Sequence, residues 1–261
     1  MREHQQYPSI SVVIPAVNEA KNLRRVLPLM PRIVTEIILV DGHSTDDTTA
    51  VVQQLGPTFR PPIHVMKQAG TGKGDALRVG FAACVGAIIV TLDADGSTDP
   101  REIPLFVEAL MRGNDFAKGS RCILGGGSHD FSLLRRLGNY GLRKLVNLLF
   151  WTRFSDLCYG YNAFWKYCLD YIEIDSDGFE VEALVHLRIH KARLKIIEIP
   201  SMEYRRLYGK SNLHAFRDGW SVLKTIVKER SKGLSPSPRP RYHANPYIIN
   251  DPSSGPEDSG L

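Results

Sequence analysis

The chain has 261 residues, 43% hydrophobic and 23% charged, with a formal net charge of +5. That length allows one large α/β domain with a sizeable core, and the composition is that of an ordinary globular protein. The positive balance suits anionic partners such as nucleotides, lipid phosphates or an acidic membrane surface; no basic run with interleaved stacking aromatics points to nucleic acid.

Ser9 to Ile14 reads as a first strand closed by Pro15, followed by a helix that Asn18 would cap, with Leu23, Val26, Leu27 and Met30 at helical spacing. Glu36 to Val40 is a second strand ending in Asp41-Gly42, and Ser44 and Asp46 are caps for a helix to about Gln54. After a loop from Pro57 to Pro62, Ile63 to Met66 is a short third strand. Gly70-Thr-Gly-Lys-Gly74 opens a helix to about Cys84, and Ile88 to Leu92 is a fourth, apolar strand. This alternation predicts an α/β fold with a Rossmann-like, mostly parallel sheet flanked by helices. Ligands of such sheets bind outside the carboxyl ends of the strands. The stretches to watch are therefore Pro15 to Glu19, Asp41 to Ser44, the glycine loop and Asp93 to Asp95.

Farther on, a helix follows Pro100, a strand begins at Asp115 to Lys118 and ends in Gly119-Ser-Arg121, and Gly125 to Gly127 is a loop. Phe131 to Trp151 is helical, with leucines interleaved by Arg135, Arg136, Arg143 and Lys144. It reads either as a core-facing helix with a solvated basic face or as an interfacial helix lying on anionic lipid. Phe179 to His190 is a helix carrying Glu180 and Glu182, which do not share a face, so at most one points into a site. A strand from Leu194 to Ile199 and an amphipathic helix marked by Leu213, Phe216, Trp220, Leu223 and Val227 complete the domain. From Gly233 the composition turns to Pro, Ser and then acidic residues, as expected of a disordered or loosely docked tail. The organisation predicted is an arm at 1–8, a domain at 9–232 and a tail at 233–261. The four cysteines lack metal-type spacing and are expected as reduced, mostly buried thiols. The polar N-terminus lacks the apolar core of a signal peptide. The longest apolar cluster, Leu145 to Trp151, is too short to span a bilayer. A cytosolic protein is expected, with peripheral contact to the cytoplasmic membrane face as an option.

Asp93 and Asp95 lie on one side where the fourth strand ends, an arrangement that invites a divalent cation; a polar turn is the alternative. The glycine loop fails the P-loop spacing, because Lys67 stands five before Gly72 and Gly74 follows Lys73. Lys73, flanked by glycines at a helix start, still suits an anion. No Gly-x-Ser-x-Gly elbow or Cys/His pair suggests covalent catalysis.

Taken together, Val13-Ile-Pro-Ala-Val-Asn-Glu19, Ile38-Leu-Val-Asp-Gly-His-Ser-Thr-Asp-Asp-Thr48, Gly72-Lys-Gly-Asp-Ala-Leu-Arg-Val-Gly80 and Leu92-Asp-Ala-Asp-Gly96 resemble the family 2 glycosyltransferases of GT-A fold. Lys118-Gly-Ser-Arg121, the basic helix with Arg135 and Arg136, Gly178-Phe-Glu-Val-Glu182, and Glu198-Ile-Pro with Tyr204-Arg-Arg-Leu-Tyr-Gly-Lys-Ser211 resemble the dolichyl- or polyprenyl-phosphate sugar synthase branch. The resemblance divides the domain into a nucleotide-sugar half at about 9–121 and an acceptor half at about 122–232. It implies that Pro15, Ala16, Val17 and Glu19 line the nucleotide pocket and that Asp41 accepts from the base or ribose. Lys73, Asp93 and Ala94 would contact the GDP- or UDP-hexose donor. Asp95, with Asp93, would bind Mg²⁺ or Mn²⁺. Arg121, Arg135 and Arg206 would hold the acceptor phosphate, with Lys210 nearby. Asp93, Asp95 and Arg121 are the catalytic candidates. Two positions depart from the family pattern: Val17 stands where an aromatic residue is common, and Asn212 where a lysine follows the serine.

An ionised phosphate acceptor needs no general base, whereas a hydroxyl acceptor requires a carboxylate to take its proton. Glu180 or Glu182 is the nearby candidate for that role. The reading is metal-dependent, inverting transfer of a hexose to a polyprenyl phosphate. The alternatives are transfer to a hydroxyl on a metabolite or polysaccharide, and a non-catalytic nucleotide-sugar-binding module.

Overall fold

Four apolar segments pair in parallel to form one half of a seven-stranded sheet: β1 (Ile10–Ala16), β2 (Glu36–Asp41), β3 (Ile63–Lys67) and β4 (Ile88–Thr91). Between them run α1 (Ala20–Val26), α2 (Thr48–Leu55) and α3 (Lys73–Ala83). The protein is seen here as a computed structural model describing residues 7–56, 59–211 and 213–233. Most of the arm, positions 57 and 58 of the loop, Asn212 and all of the tail beyond Gly233 lie outside the described residues.

The second half follows with α4 (Ile103–Met111), β5 (Phe116–Ser120), β6 (Gly127–Ser128) and α5 (Leu133–Phe150). Then come β7 (Asn162–Trp165), α6 (Val181–Lys191), β8 (Ile196–Pro200), β9 (Met202–Glu203) and α7 (Ala215–Ser231). The sheet order is β3-β2-β1-β4-β7-β5-β8, with β6 and β9 forming a small separate sheet. All pairs in the main sheet are parallel except those of β7, which runs antiparallel to both β4 and β5. Strand β7 was not assigned from the sequence. It is four residues long and buried on both faces, so it shows no alternation.

Two local expectations are corrected. Pro15 does not end the first strand: β1 continues to Ala16, in register with β2 through Pro15↔Val40. The ladder to β4 stops at Val13↔Thr91, so Pro15 has no β4 partner to lose. Asn18 does not cap α1. It takes a left-handed φ of 58°, and its Oδ1 accepts from the amides of Thr45 (2.7 Å) and Asp46 (3.2 Å). The free amides at the start of α1 are met from the second crossover instead. Glu19 donates to Thr48 Oγ1 (2.8 Å) and Ala20 to Asp46 Oδ2 (3.1 Å). Of the expected caps of α2, Asp46 accepts from the Thr48 amide (2.9 Å), while Ser44 accepts from Asn18.

The main core fills both faces of the sheet. A second cluster forms where α5, α6 and α7 meet, around Val146, Phe150, Leu187, Val222 and Ile226. Helix α6 serves both cores, with Val181, Val185 and Ile189 toward the sheet and Ala183 and Leu187 toward α5 and α7. That accounts for its being buried nearly all round. Helix α5 is not core-facing along its length. Only Asn139, Val146 and Phe150 are buried, and Leu133, Leu134 and Leu137 are exposed. Among the described residues no helix is long and apolar enough to cross a membrane. Cys84 and Cys168 are buried, Cys158 is partly buried, and Cys122 is exposed, contrary to the expectation for that thiol; all four are free.

Candidate active site

Strands β1, β2 and β3 advance in one direction from the sheet centre, and β4 returns to the other side of β1. That reversal leaves a crevice at the carboxyl ends of β1 and β4, where open α/β sheets bind ligands. A cleft of about 400 Å³ opens there. Pro15, Ala16, Val17, Glu19, Lys73, Asp93, Ala94, Asp95, Arg121, Arg135 and Arg206 all line it. Asp41 lies just behind, buried at the end of β2, with its Oδ1 accepting from the Ser44 amide (3.2 Å). Lys210 is exposed and not among the lining residues.

Gly42 keeps one end of the cleft open. A Cβ there would approach Val17 Cγ2 to 2.5 Å and Gln68 Oε1 to 2.8 Å. Gln68 follows β3 in the same row of strand ends and donates from Nε2 to the Gly72 carbonyl (2.8 Å). Its place just past the end of a short strand was the signal that could have found it.

The Asp93-Ala-Asp95 pair is held by two cationic side chains. Lys73 Nζ lies 2.6 Å from Asp93 Oδ1 and 2.7 Å from Glu182 Oε1. Burial works against the Lys73 charge, but these two carboxylates outweigh it and hold the ammonium well above its ordinary range. Asp95 Oδ1 accepts from the Ser97 amide (2.9 Å), and Oδ2 faces Arg206 Nη1 at 3.2 Å. Arg206 also pairs with Glu19, which accepts from Asn22. Burial raises the Glu19 carboxyl above its usual range despite these partners. Of the two adjacent arginines, Arg206 therefore faces inward, and Arg205 donates to the His129 carbonyl (3.2 Å). Glu182 projects into the cleft, while Glu180 turns back to accept from the Gly178 amide (3.2 Å).

Arg121 is the least exposed of the basic groups lining the cleft. Its Nε and Nη2 meet Asp156 at 2.7 and 2.9 Å, Nη1 meets both Glu203 oxygens at 3.1 Å, and Nη2 also donates to the Cys158 carbonyl (2.7 Å). The guanidinium lies over the rings of Phe131 (4.1 Å) and Tyr159 (4.7 Å). Burial opposes ionisation of Asp156, yet Arg121 holds its carboxyl well below the usual range. No sequence pattern marks Asp156 or Glu203 as its partners. They are 35 and 82 residues away and converge only through the fold. Arg135 is the more open cation, paired with Asp130 at 3.0 Å.

A second, apolar groove of about 370 Å³ runs between α5 and α7, lined by Leu134, Leu137, Leu142, Phe216, Trp220 and Leu223. Arg121, Arg135, Cys158, Phe179, Glu182 and Leu213 border both cavities, so the polar cleft and the groove are continuous.

Residues 11–170 match the family model for Glycosyl transferase family 2. The chain is 29% identical over 217 residues to a dolichol-phosphate mannosyltransferase of Pyrococcus furiosus, covering 78% of this chain but 59% of that protein. It is 28% identical over 234 residues to a polyprenol monophosphomannose synthase of Mycolicibacterium smegmatis, covering 85% of this chain and 86% of that one. Among solved structures, glucosyl-3-phosphoglycerate synthase from Mycobacterium tuberculosis, in complex with Mn²⁺, UDP and phosphoglyceric acid, superposes with a TM-score of 0.69 at 22% identity. That superposition covers 85% of this chain and 78% of that chain and supports the GT-A fold. A match over most of the chain, on a sheet that carries its acidic pair at the β4 end, places this protein in glycosyl transferase family 2.

Proposed function

We propose that the protein moves a hexose from a GDP- or UDP-linked donor to a polyprenyl phosphate. The carrying observation is the continuity of the polar cleft with the apolar groove between α5 and α7. A phosphate in the cleft beside Arg135 and Arg206 can extend a hydrocarbon tail along Leu137, Phe216 and Trp220 without burying a polar group. The names of the relatives agree with this acceptor class.

The state of the carboxylates supports an acceptor that arrives already ionised. Glu182, the sequence candidate for a general base, is paired with Lys73, which also holds Asp93. Asp130 is paired with Arg135, Glu203 with Arg121, and Glu19 and Asp95 with Arg206. A carboxylate neutralised this way is a poor proton acceptor for a hydroxyl, whereas a phosphate monoester needs none. The cleft's arginines would align that phosphate with the anomeric carbon, and direct displacement from the far side inverts it.

Asp93 and Asp95 suit a cation shared with substrate. Two carboxylates at one strand end, each already holding a positive group, match the one or two protein ligands that Mg²⁺ keeps beside substrate phosphates. Among the described residues no cluster of three or more metal-type ligands offers an all-protein cage. Held by Asp95 and Asp93, Mg²⁺ or Mn²⁺ would neutralise the charge growing on the diphosphate leaving group. Val17, Gly42 and Gln68, which line the cleft, would meet the nucleoside, with Asp41 buried behind them.

The test is transfer from labelled GDP- and UDP-hexoses, with Mn²⁺, to a short polyprenyl phosphate. The expected product is an acid-labile glycolipid, and Asp95→Ala should abolish both transfer and its metal dependence. Transfer to a neutral sugar or alcohol with none to the lipid phosphate would favour the hydroxyl acceptor. Donor binding without transfer to either would favour a non-catalytic module.

A further inference from the structure

Residues 204–208 form a strap across the Asp95 corner. The Tyr204 amide donates to the Ser97 carbonyl (2.8 Å) and the Leu207 amide to the Asp95 carbonyl (3.1 Å). Asn22 Nδ2 donates to the Tyr208 carbonyl (3.1 Å), which also accepts from Arg206 Nε (2.7 Å). Gly96, at a φ of 78°, leaves the space that Leu207 fills, since a Cβ there would come within 2.7 Å of Leu207 Cδ1. The strap thus delivers one guanidinium to two carboxylates, Asp95 and Glu19, that come from different strand ends. Leaving both unpaired in a partly buried site is costly, and the guanidinium offsets that cost.

We propose that Arg206 is a tethered counter-ion that competes with the divalent cation for Asp95. When it yields Asp95 Oδ2, the strap loosens and its guanidinium becomes available on the acceptor side. This rests on the reading of Asp95 as a metal ligand. Arg206 is here a positioning residue: it holds the acidic corner in shape, and its release links loading of the donor side to presentation of positive charge to the acceptor. Because the link is a coupling free energy, it is reciprocal, and removing Arg206 must tighten cation binding.

The experiment is Mn²⁺ titration of the full chain, alone and without any sugar nucleotide, followed by the electron paramagnetic resonance signal of free Mn²⁺. Arg206→Gln should bind Mn²⁺ about 5- to 150-fold more tightly than wild type, the range of typical couplings. Arg206→Lys, which keeps the charge, should return toward wild type. In wild type, Mn²⁺ should speed tryptic cleavage after Arg206, which Asp95→Asn should prevent. Equal Mn²⁺ affinity in wild type and Arg206→Gln, with binding lost in Asp95→Asn, would overturn the competition and leave the metal reading standing. Mn²⁺ binding unaffected by Asp95→Asn would overturn both. Should Arg206→Gln fail to fold, the wild-type cleavage assay decides alone: slower or unchanged cleavage with Mn²⁺ sinks the proposal.

Discussion

Arg121 shows how burial changes what a cation does. Its side chain is 3% exposed and lies between Asp156, which is fully buried, and Glu203. Replacing it with a neutral chain of similar length leaves two buried carboxylates uncompensated, which costs about 3–5 kcal/mol when one partner of such a pair is lost. Arg121→Met should therefore lower unfolding stability by roughly that amount in urea denaturation, whereas Arg135→Met, at an open pair, should stay within about 1 kcal/mol. A simple loss of acceptor affinity, with stability intact, would instead make Arg121 a phosphate ligand only. From the sequence, a basic residue at a strand end was visible, and so was its neighbourhood to a site. The two carboxylates were not, because they arrive from a loop and from β9. Similarly, Lys73 was legible as an anion-binding lysine at a helix start, but its ties to Asp93 and Glu182 depend on α6 packing back onto the sheet near β5 and β7.

At the scale of elements, the start of α3 is held by a segment a hundred residues later. The Gly74 amide donates to the Asp177 carbonyl (2.8 Å). A Cβ on Gly74 would overlap the Ser176 carbonyl, and one on Gly72, at a φ of 90°, would overlap that of Asp177. The glycines are thus explained by a close backbone approach, not by a phosphate loop. Gly74→Ala gains helix propensity of about 1 kcal/mol but must push the 175–178 segment away, at about 1–3 kcal/mol for overpacking. It should lower the melting temperature and, by moving Lys73, weaken donor binding in a thermal-shift titration with sugar nucleotides. Unchanged melting and binding would mean the segment moves freely. The sheet itself was largely legible, since β1 to β4, β5 and β8 are apolar runs bounded by turn residues. Strand β7 and the small β6–β9 pair were not. Runs of four and two residues carry too little periodicity, and their pairing is set by neighbours distant in sequence.

For the molecule as a whole, the junction of α6, α7 and the 173–177 segment is tied by charge. Arg188 meets Asp175 (2.8 Å) and Glu229 (2.9 Å), Lys191 meets Glu229 (3.0 Å), and Lys232 reaches both acids. Burial pushes the Glu229 carboxyl up, but Arg188 and Lys191 bring it down to about 2; Asp175, against burial, is brought to about 2 by Lys228, Arg188 and Lys232. A carboxyl depressed in the folded state adds stability above its unfolded value and loses it as pH falls toward its folded value. The stability advantage of wild type over Glu229→Gln in urea should thus be full at pH 6, begin to shrink below about pH 4.5 and vanish near pH 2. A gap constant with pH would show that Glu229 acts by packing alone. Helices α5 and α7 present Leu137, Phe216 and Trp220 outward beside Arg136, Arg217 and Lys224, a composition suited to anionic lipid. Phe216→Asp with Trp220→Asp should reduce co-sedimentation with phosphatidylglycerol vesicles while sparing sugar-nucleotide binding; unaltered co-sedimentation would exclude α7 as the contact.

Strand β7 carries one more consequence. It comes from the later part of the chain, yet it lies between β4 and β5, both from the earlier part. The sheet is woven, with a later segment closing a gap between earlier ones. A cut near Arg121 would not release a self-sufficient first half, since β4 and β5 would face each other across a missing strand. Changes confined to the surfaces of α5 and α7 are therefore more readily accommodated than exchange of the latter half of the chain wholesale.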